Sequence, residues 1–213
     1  MYKRQHHGSH LKNAELPDDA LAFITYWADN VAAGADRRED EGVEESPYIR
    51  NLPLSSIFNL LNGNHQNSIY PAAMISDEKE INYPEEKAVS LSETDYGKII
   101  KTIREALDGI EVKGEYANSL LEIMEANLSY VPSSTATNQI ADISLYDHIK
   151  ITAAIGSSLL DYLVENNIAD FRKALFKGGK RFYEEEAFLL CSMDISGIQN
   201  FIYTIAVSYT HLT

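Results

Sequence analysis

Five residues have side chains and settings suited to chemistry: His7, Asp29, His148, Asp194 and Ser196. An imidazole and a carboxylate such as His7 and Asp29 suit a divalent transition metal that activates water. The plainer reading of each is a surface histidine and an aspartate that is solvated or caps a neighbour. His148, in SLYDHIKIT, lies near the start of an expected helix with an apolar face. There the expectation is a satisfied, partly buried imidazole holding neighbouring loops by hydrogen bonds, with a catalytic role as the alternative. Asp194 and Ser196 belong to CSMDISGIQNFIY, residues 191–203, where an apolar run over 188–193 stops at a carboxylate and a tight Ser-Gly leads into a helix-like run. Ser196 precedes Gln199 by three residues, the spacing of a capping box. That puts a helix N-terminus at a strand tip, where free N–H groups favour an anion and an aspartate can hold a phosphate-bridging metal ion. The alternative is that Asp194 ends the strand and Ser196 caps the helix. No Ser-His-Asp arrangement can be assembled on spacing, and the single cysteine rules out a Cys/His zinc pattern. KGGKR at 177–181 lacks the Walker spacing. The 13 tyrosines are scattered with little basic interleaving, so packing explains them better than base stacking.

The elements that must position these residues are mostly helical. Leu21, Ile24, Ala28, Val31 and Ala35 recur at helical spacing and predict a helix over 18–36, opened by Pro17, Asp18 and Asp19. Residues 37–50 are charged and read as a solvated connection. LSSIFNLL at 54–61 reads as a strand or short helix, and SIYPAAMI and EINYP are β-like runs broken by proline. A small β-rich insert is expected there. A helix over 93–110 follows, with Ser92 and Asp95 spaced as a capping-box variant and Gly109 near its end. Another covers 115–130, stopped before Pro132, and PSSTATNQ reads as a polar loop. A third runs over 144–166, capped by Ser144 and Asp147, with Leu145, Ile149, Thr152, Ile155, Leu159 and Tyr162 along one side. A short helix at 168–177 precedes YEEEAFLLCSMD, which leads into a strand.

The 213 residues suffice for one large or two small domains, and a 45% apolar content permits a real core. The 32 acidic and 18 basic residues leave a net charge of −14. Nucleic-acid affinity rests largely on basic side chains displacing counterions, so this polypeptide alone is not expected to grip DNA or RNA well. A lone Cys191 excludes an internal disulfide and fits a reducing cytoplasm. No apolar run approaches a membrane span, and MYKRQHHGSH lacks the hydrophobic core of a signal peptide. MYKRQ at the start and VSYTHLT at the end resemble translated sequencing-adapter read-through. Residues 1–5 and 207–213 are therefore expected to be non-native, around an internal piece of a longer protein.

Three stretches in order carry a family resemblance: FITYWADNVAAGADRR at 23–38, VPSSTATNQIADISLYDHIKITAAI at 131–155 and FYEEEAFLLCSMDISGIQNFIYTI at 182–205. Together they resemble the large subunit of type III-A CRISPR effector complexes, the Csm-type polymerase/cyclase-like protein, across 6–206. The resemblance implies a cytoplasmic prokaryotic protein of antiviral defence. It would assemble with other Csm subunits and a CRISPR RNA, sense target RNA, and cut single-stranded DNA through an HD nuclease domain. Two GGDEF-cyclase-like palm domains would turn ATP into cyclic oligoadenylates. The implied cofactors are a divalent metal of the Mn, Ni or Co type in the HD domain, with Mg and ATP in the palm. The implied fold is mostly α with the small β-rich insert, closing on the start of an α+β ferredoxin-like palm. Residues 6–38 would end the HD domain, 39–92 hold the linker and insert, 93–185 link HD to palm, and 186–206 supply the first palm strand and helix. Asp29 matches the terminal HD-superfamily aspartate and His7 a downstream histidine of that domain. Asp194 matches the end of the first palm strand, where with Ser196 it would help place a nucleotide. The adjacent His-Asp pair, the GGDD motif and the zinc-binding cysteines of the family do not occur in the sequence, so this polypeptide alone is expected to be inactive.

Two other readings stand beside this one. A helical adaptor would use its acidic face to bind a partner. A stand-alone HD phosphohydrolase would need a His-Asp pair. An adaptor would also have to complete a sheet around the last strand, and no good candidate strands are evident.

Overall fold

The computed structural model describes residues 8–36, 49, 51–61, 67–71, 75, 83–86, 92–110, 114–136 and 139–192. Six α-helices run through them: α1 (Gly8–Asn13), α2 (Leu21–Asp36), α3 (Glu93–Asp108), α4 (Ala117–Leu128), α5 (Leu145–Glu165) and α6 (Gly179–Phe182). The most extensive contact is between α2 and α5. Ala28 and Ala32 are fully buried, and a Cβ at Gly156 of α5 would meet Ala28 Cβ at 3.7 Å and Ile24 Cγ2 at 3.8 Å. Small side chains therefore let the two helices lie close. Around them Leu11, Phe23, Ile24, Trp27, Leu159, Leu163, Phe171, Leu175 and Phe182 form one core. A second core, Ile99, Leu128, Val131 and Tyr146, joins α3 and α4 to the start of α5. Among the described residues no helix is long and apolar enough to cross a membrane.

Chain chemistry explains where the helices begin and end. Ser92 accepts from the Asp95 N–H at 3.2 Å while Asp95 Oδ2 accepts from the Ser92 N–H at 3.0 Å, a reciprocal capping box on α3. Ser144 caps α5 by accepting from the Asp147 N–H at 3.0 Å. α5 ends where Asn167 takes a left-handed φ of 57°, with the Ile168 N–H returning to the Leu163 carbonyl at 2.8 Å.

Several expectations are corrected. The first large helix starts at Leu21, because Pro17–Ala20 forms a turn whose Ala20 N–H bonds the Pro17 carbonyl at 3.1 Å, leaving Asp18 to ion-pair with Arg172 at 2.9 Å. Its buried face is rotated from the one expected: Phe23, Ile24, Trp27, Ala28, Ala32, Ala33 and Asp36 are inside, while Leu21 and Ala35 are exposed. Two aromatic rings have more apolar area to bury than Leu21, and they set the face. The segment expected as a short helix over 168–177 is π-helical over Arg172–Lys177. The Gly178 N–H reaches back five residues to the Lys173 carbonyl at 2.9 Å, and a Cβ at Gly178 would lie 2.9 Å from that oxygen. Only glycine admits this closure.

The insert shows isolated antiparallel bridges, Ser55–Ile69 and Ile69–Glu85, rather than continuous strands among the described residues. Pro71 and Pro84 remove ladder donors beside those bridges. Ile57–Asn59 is a single 3₁₀ turn capped by Ser56. Residues 186–192 have no sheet partner among the described residues, and Leu189 and Leu190 are 87% and 96% exposed. The same stretch is tethered near its start, where Tyr183 and Phe188 stack on Trp27 with ring centroids 5.1 and 5.8 Å away.

Leu159→Ala should lower unfolding free energy by about 3 kcal/mol or more through the cavity it leaves. Leu21→Ala, on the face that periodicity alone marks as apolar, should change it by only about 0.5 kcal/mol or less. Chemical denaturation of the two variants checks the rotation of α2 directly. Comparable losses would return Leu21 to the core.

Candidate functional site

Asp29 and Asp36 lie seven residues apart on α2, two helical turns, and so share one face. Facing them is the first turn of α5, whose position is fixed three ways. Ser144 caps it, the Leu145 N–H bonds the Val131 carbonyl at 2.6 Å, and the Tyr146 hydroxyl donates to Glu125 Oε2 of α4 at 3.1 Å. Two residues beyond Tyr146, His148 reaches both acids. Its Nδ1 lies 2.8 Å from Asp36 Oδ2 and its Nε2 lies 3.0 Å from Asp29 Oδ1. Side-chain exposure falls along the row from 28% at Asp29 through 11% at His148 to 7% at Asp36.

A neutral imidazole can donate from only one nitrogen, whereas an imidazolium donates from both. Two carboxylate acceptors therefore favour the cation. The hydrogen bond to Asp29 raises the His148 pKa above its ordinary value most strongly. Burial opposes this, and the bond to Asp36 adds to the rise. With both nitrogens engaged, His148 is poorly suited to act as a general base. The row instead fixes one carboxylate by way of another, with its accessible end at Asp29.

Asp29 is thus the member of the row that an ion from solvent can reach. A carboxylate oxygen suits a divalent cation, and ligating carboxylates are commonly held by outer hydrogen bonds of this kind. The fit extends to one ligand: among the described residues no group of three or more His, Cys, Asp or Glu side chains could hold a metal ion. His7, Asp194 and Ser196 lie outside the described residues. Of the residues marked in the sequence, the structure brings Asp29 and His148 together, and the partners of His148 are carboxylates on a helix rather than loops. Asp36 was missed. Its position seven residues after Asp29 was the available signal, since that spacing puts two acids on one helical face.

Replacing His148 with Ala would leave Asp36 buried without its cationic partner, at a cost of about 3 kcal/mol. The pH dependence has a definite sign. Because the folded-state pKa lies above the ordinary 6.5, the stabilisation is complete below about that pH and is lost as pH rises through the higher folded value. In thermal unfolding at a series of pH values, the gap between the native sequence and His148→Gln should be widest in mildly acidic buffer and narrow on the alkaline side. A gap that widens with pH would mean a neutral His148.

No family model matches the chain. The chain is 41% identical over 212 residues to the CRISPR system single-strand-specific deoxyribonuclease Cas10/Csm1 (subtype III-A) of Enterococcus italicus, covering 95% of this chain and 28% of that protein. It is 40% identical over 207 residues to the protein of the same description from Mycobacterium tuberculosis, covering 94% of this chain and 25% of that one. Among solved structures, a Csm1-Csm4 cassette in complex with pppApA matches 75% of this chain and 18% of its own at 28% identity and a TM-score of 0.50. The chain thus spans about a quarter of the length of the curated relatives it matches. Aligned with them over almost all of its residues, it belongs to the Cas10/Csm1 family of subtype III-A, as the counterpart of a segment of those proteins.

Proposed function

We propose that the chain is a working part of a type III-A CRISPR large subunit. In the whole protein an HD domain cuts single-stranded DNA once target RNA is bound, and palm domains convert ATP to cyclic oligoadenylates. The observation that carries the reading is the alignment of 95% of the chain with a named single-strand-specific deoxyribonuclease at 41% identity. The held carboxylate of Asp29 gives that alignment a chemical meaning.

In this reading 6–38 close the HD domain, and Asp29, with His7, contributes to its divalent metal, of the Mn, Ni or Co type. A bound metal of this kind supplies an activated water and stabilises charge on the scissile phosphate. Residues 39–92 are the linker and insert, and 93–185 join HD to palm. Residues 186–206 open the first palm, where Asp194 and Ser196 help place a nucleotide beside Mg. The solved relative held with pppApA supports an adenylate-binding role for the palm, and its Csm4 partner supports assembly with other Csm subunits. CRISPR RNA, target RNA and single-stranded DNA are the remaining partners, in a prokaryotic cytoplasm. The sequence holds neither an adjacent His-Asp pair nor a GGDD motif, so the 213 residues alone are read as inactive.

The test uses the whole subunit assembled with its Csm partners and guide RNA. Asp29→Asn should reduce Mn-dependent cleavage of single-stranded DNA by about 100-fold or more, as expected when a metal ligand rather than its outer support is lost. Circular dichroism should show the variant folded. Cleavage at the native rate by a folded variant would remove Asp29 from the nuclease site.

A further inference from the structure

Basic side chains are unevenly spread along this acidic chain. Five of the 18 fall within 172–181, shortly after α5. Arg172 is committed inward, paired with Asp18 at 2.9 Å and lying over the Phe23 ring. Lys173, Lys177 and Arg181 instead recur every fourth residue and line a cavity of about 650 Å³ formed by the end of α5, the π-helical segment and α6. Among the described residues none of these three cations is ion-paired. KGGKR, which lacks the Walker spacing, thus brings both of its end residues to one cavity. The closure of Gly178 on the Lys173 carbonyl at 2.9 Å fixes the turn between them. The same cavity has an apolar lining of Tyr162, Ile168, Ala174 and Phe182. Phe182 is held edge-on against Trp27, with ring centroids 5.3 Å apart and the planes at 87°. Asp170 and Glu185 complete the lining, so three cations face two carboxylates there.

We propose that this cavity binds a small phosphorylated ligand with a flat apolar body, of the nucleoside diphosphate class. The guanidinium fork of Arg181 and the two ammonium groups supply donors and positive charge for phosphate oxygens. The apolar lining suits a ring, and the two carboxylates are acceptors for sugar hydroxyls. The volume lies within the range of about 300–1,000 Å³ typical of small-molecule sites, and a bare phosphate would leave most of it unfilled. A long polyanion fits less well. Glu184 and Glu186 flank Glu185, and the chain carries a net charge of −14, so phosphates extending past the cavity would meet carboxylates. A compact anion meets only the local cluster of cations. The site uses none of the residues in the row of Asp29, His148 and Asp36, and it stands independently of any metal at Asp29.

The test photocrosslinks an azido analogue of adenosine diphosphate to the intact large subunit and maps the labelled peptides by mass spectrometry. Mapping separates this cavity from any other nucleotide site on the protein. Label should appear within 162–185, the span that lines the cavity, and excess inorganic pyrophosphate should displace it. Lys177→Ala and Arg181→Ala should each raise the probe concentration needed for half-maximal labelling there by about 10-fold, the effect of losing one hydrogen bond to a charged group. Labelling elsewhere should not change. Both side chains are exposed, so thermal unfolding should stay at the native midpoint, and Lys173→Ala decides if either variant fails to fold. An absence of label within 162–185, or label that the folded variants acquire at native probe concentrations, overturns the proposal. Displacement by a single-stranded oligonucleotide but not by pyrophosphate would assign the cavity to nucleic acid and overturn it as well.

Discussion

A nearly buried carboxylate needs hydrogen-bonding partners, and in this protein the imidazole of His148 supplies one to Asp36. Much else follows from that pairing. Asp36 can sit inside the α2–α5 contact because His148 is there, and His148 can span the gap because Ala28, Ala32 and Gly156 let the helices approach. The row of Asp29, His148 and Asp36 also sets register. Moving α5 by one turn along α2, about 5.4 Å, would break both hydrogen bonds at once. Apolar packing alone tolerates small slides more readily than two charge-assisted bonds at fixed spacing.

α5 is the element on which the rest converge. Its first turn lies in the second core, pinned by Tyr146 to Glu125 and by Leu145 to Val131. Its last two turns, through Leu159 and Leu163, lie in the first core. Beyond it Arg172 pairs with Asp18 and lies 4.9 Å from the Phe23 ring, while Tyr183 and Phe188 stack on Trp27. One helix thus connects the acids of α2 to the segment that leads toward the proposed palm, with His148 near one end and the aromatic tether near the other.

Much of this framework was legible in the sequence where local chemistry decides the outcome. Ser92 with Asp95 and Ser144 with Asp147 mark helix starts because a hydroxyl at that spacing satisfies otherwise unbonded N–H groups. The rest depended on tertiary choices. Periodicity gave α2 an apolar stripe through Leu21 and Ala35, yet Phe23 and Trp27 turned the helix, since the partner surface decides which stripe is buried. The π-helical segment depends on how tightly Gly178 closes on Lys173, which no spacing rule records. As for the site, Asp29 and His148 were marked separately, and nothing local to either foretold their contact. Asp36 carried only a spacing, which becomes informative once a cation is known to face it.

The 112-residue separation between His148 and Asp36 also bears on folding. Their bond closes a large loop, so the α2–α5 core cannot form from neighbouring contacts alone and must await a distant encounter. The entropy of such a closure grows only logarithmically, with each doubling of loop length adding about 0.6 kcal/mol. The region between α2 and α3 can therefore lengthen or shorten at little thermodynamic cost while the histidine still finds its two acids. The insert is free to diverge in size because the clamp that encloses it is nearly indifferent to how much chain it encloses.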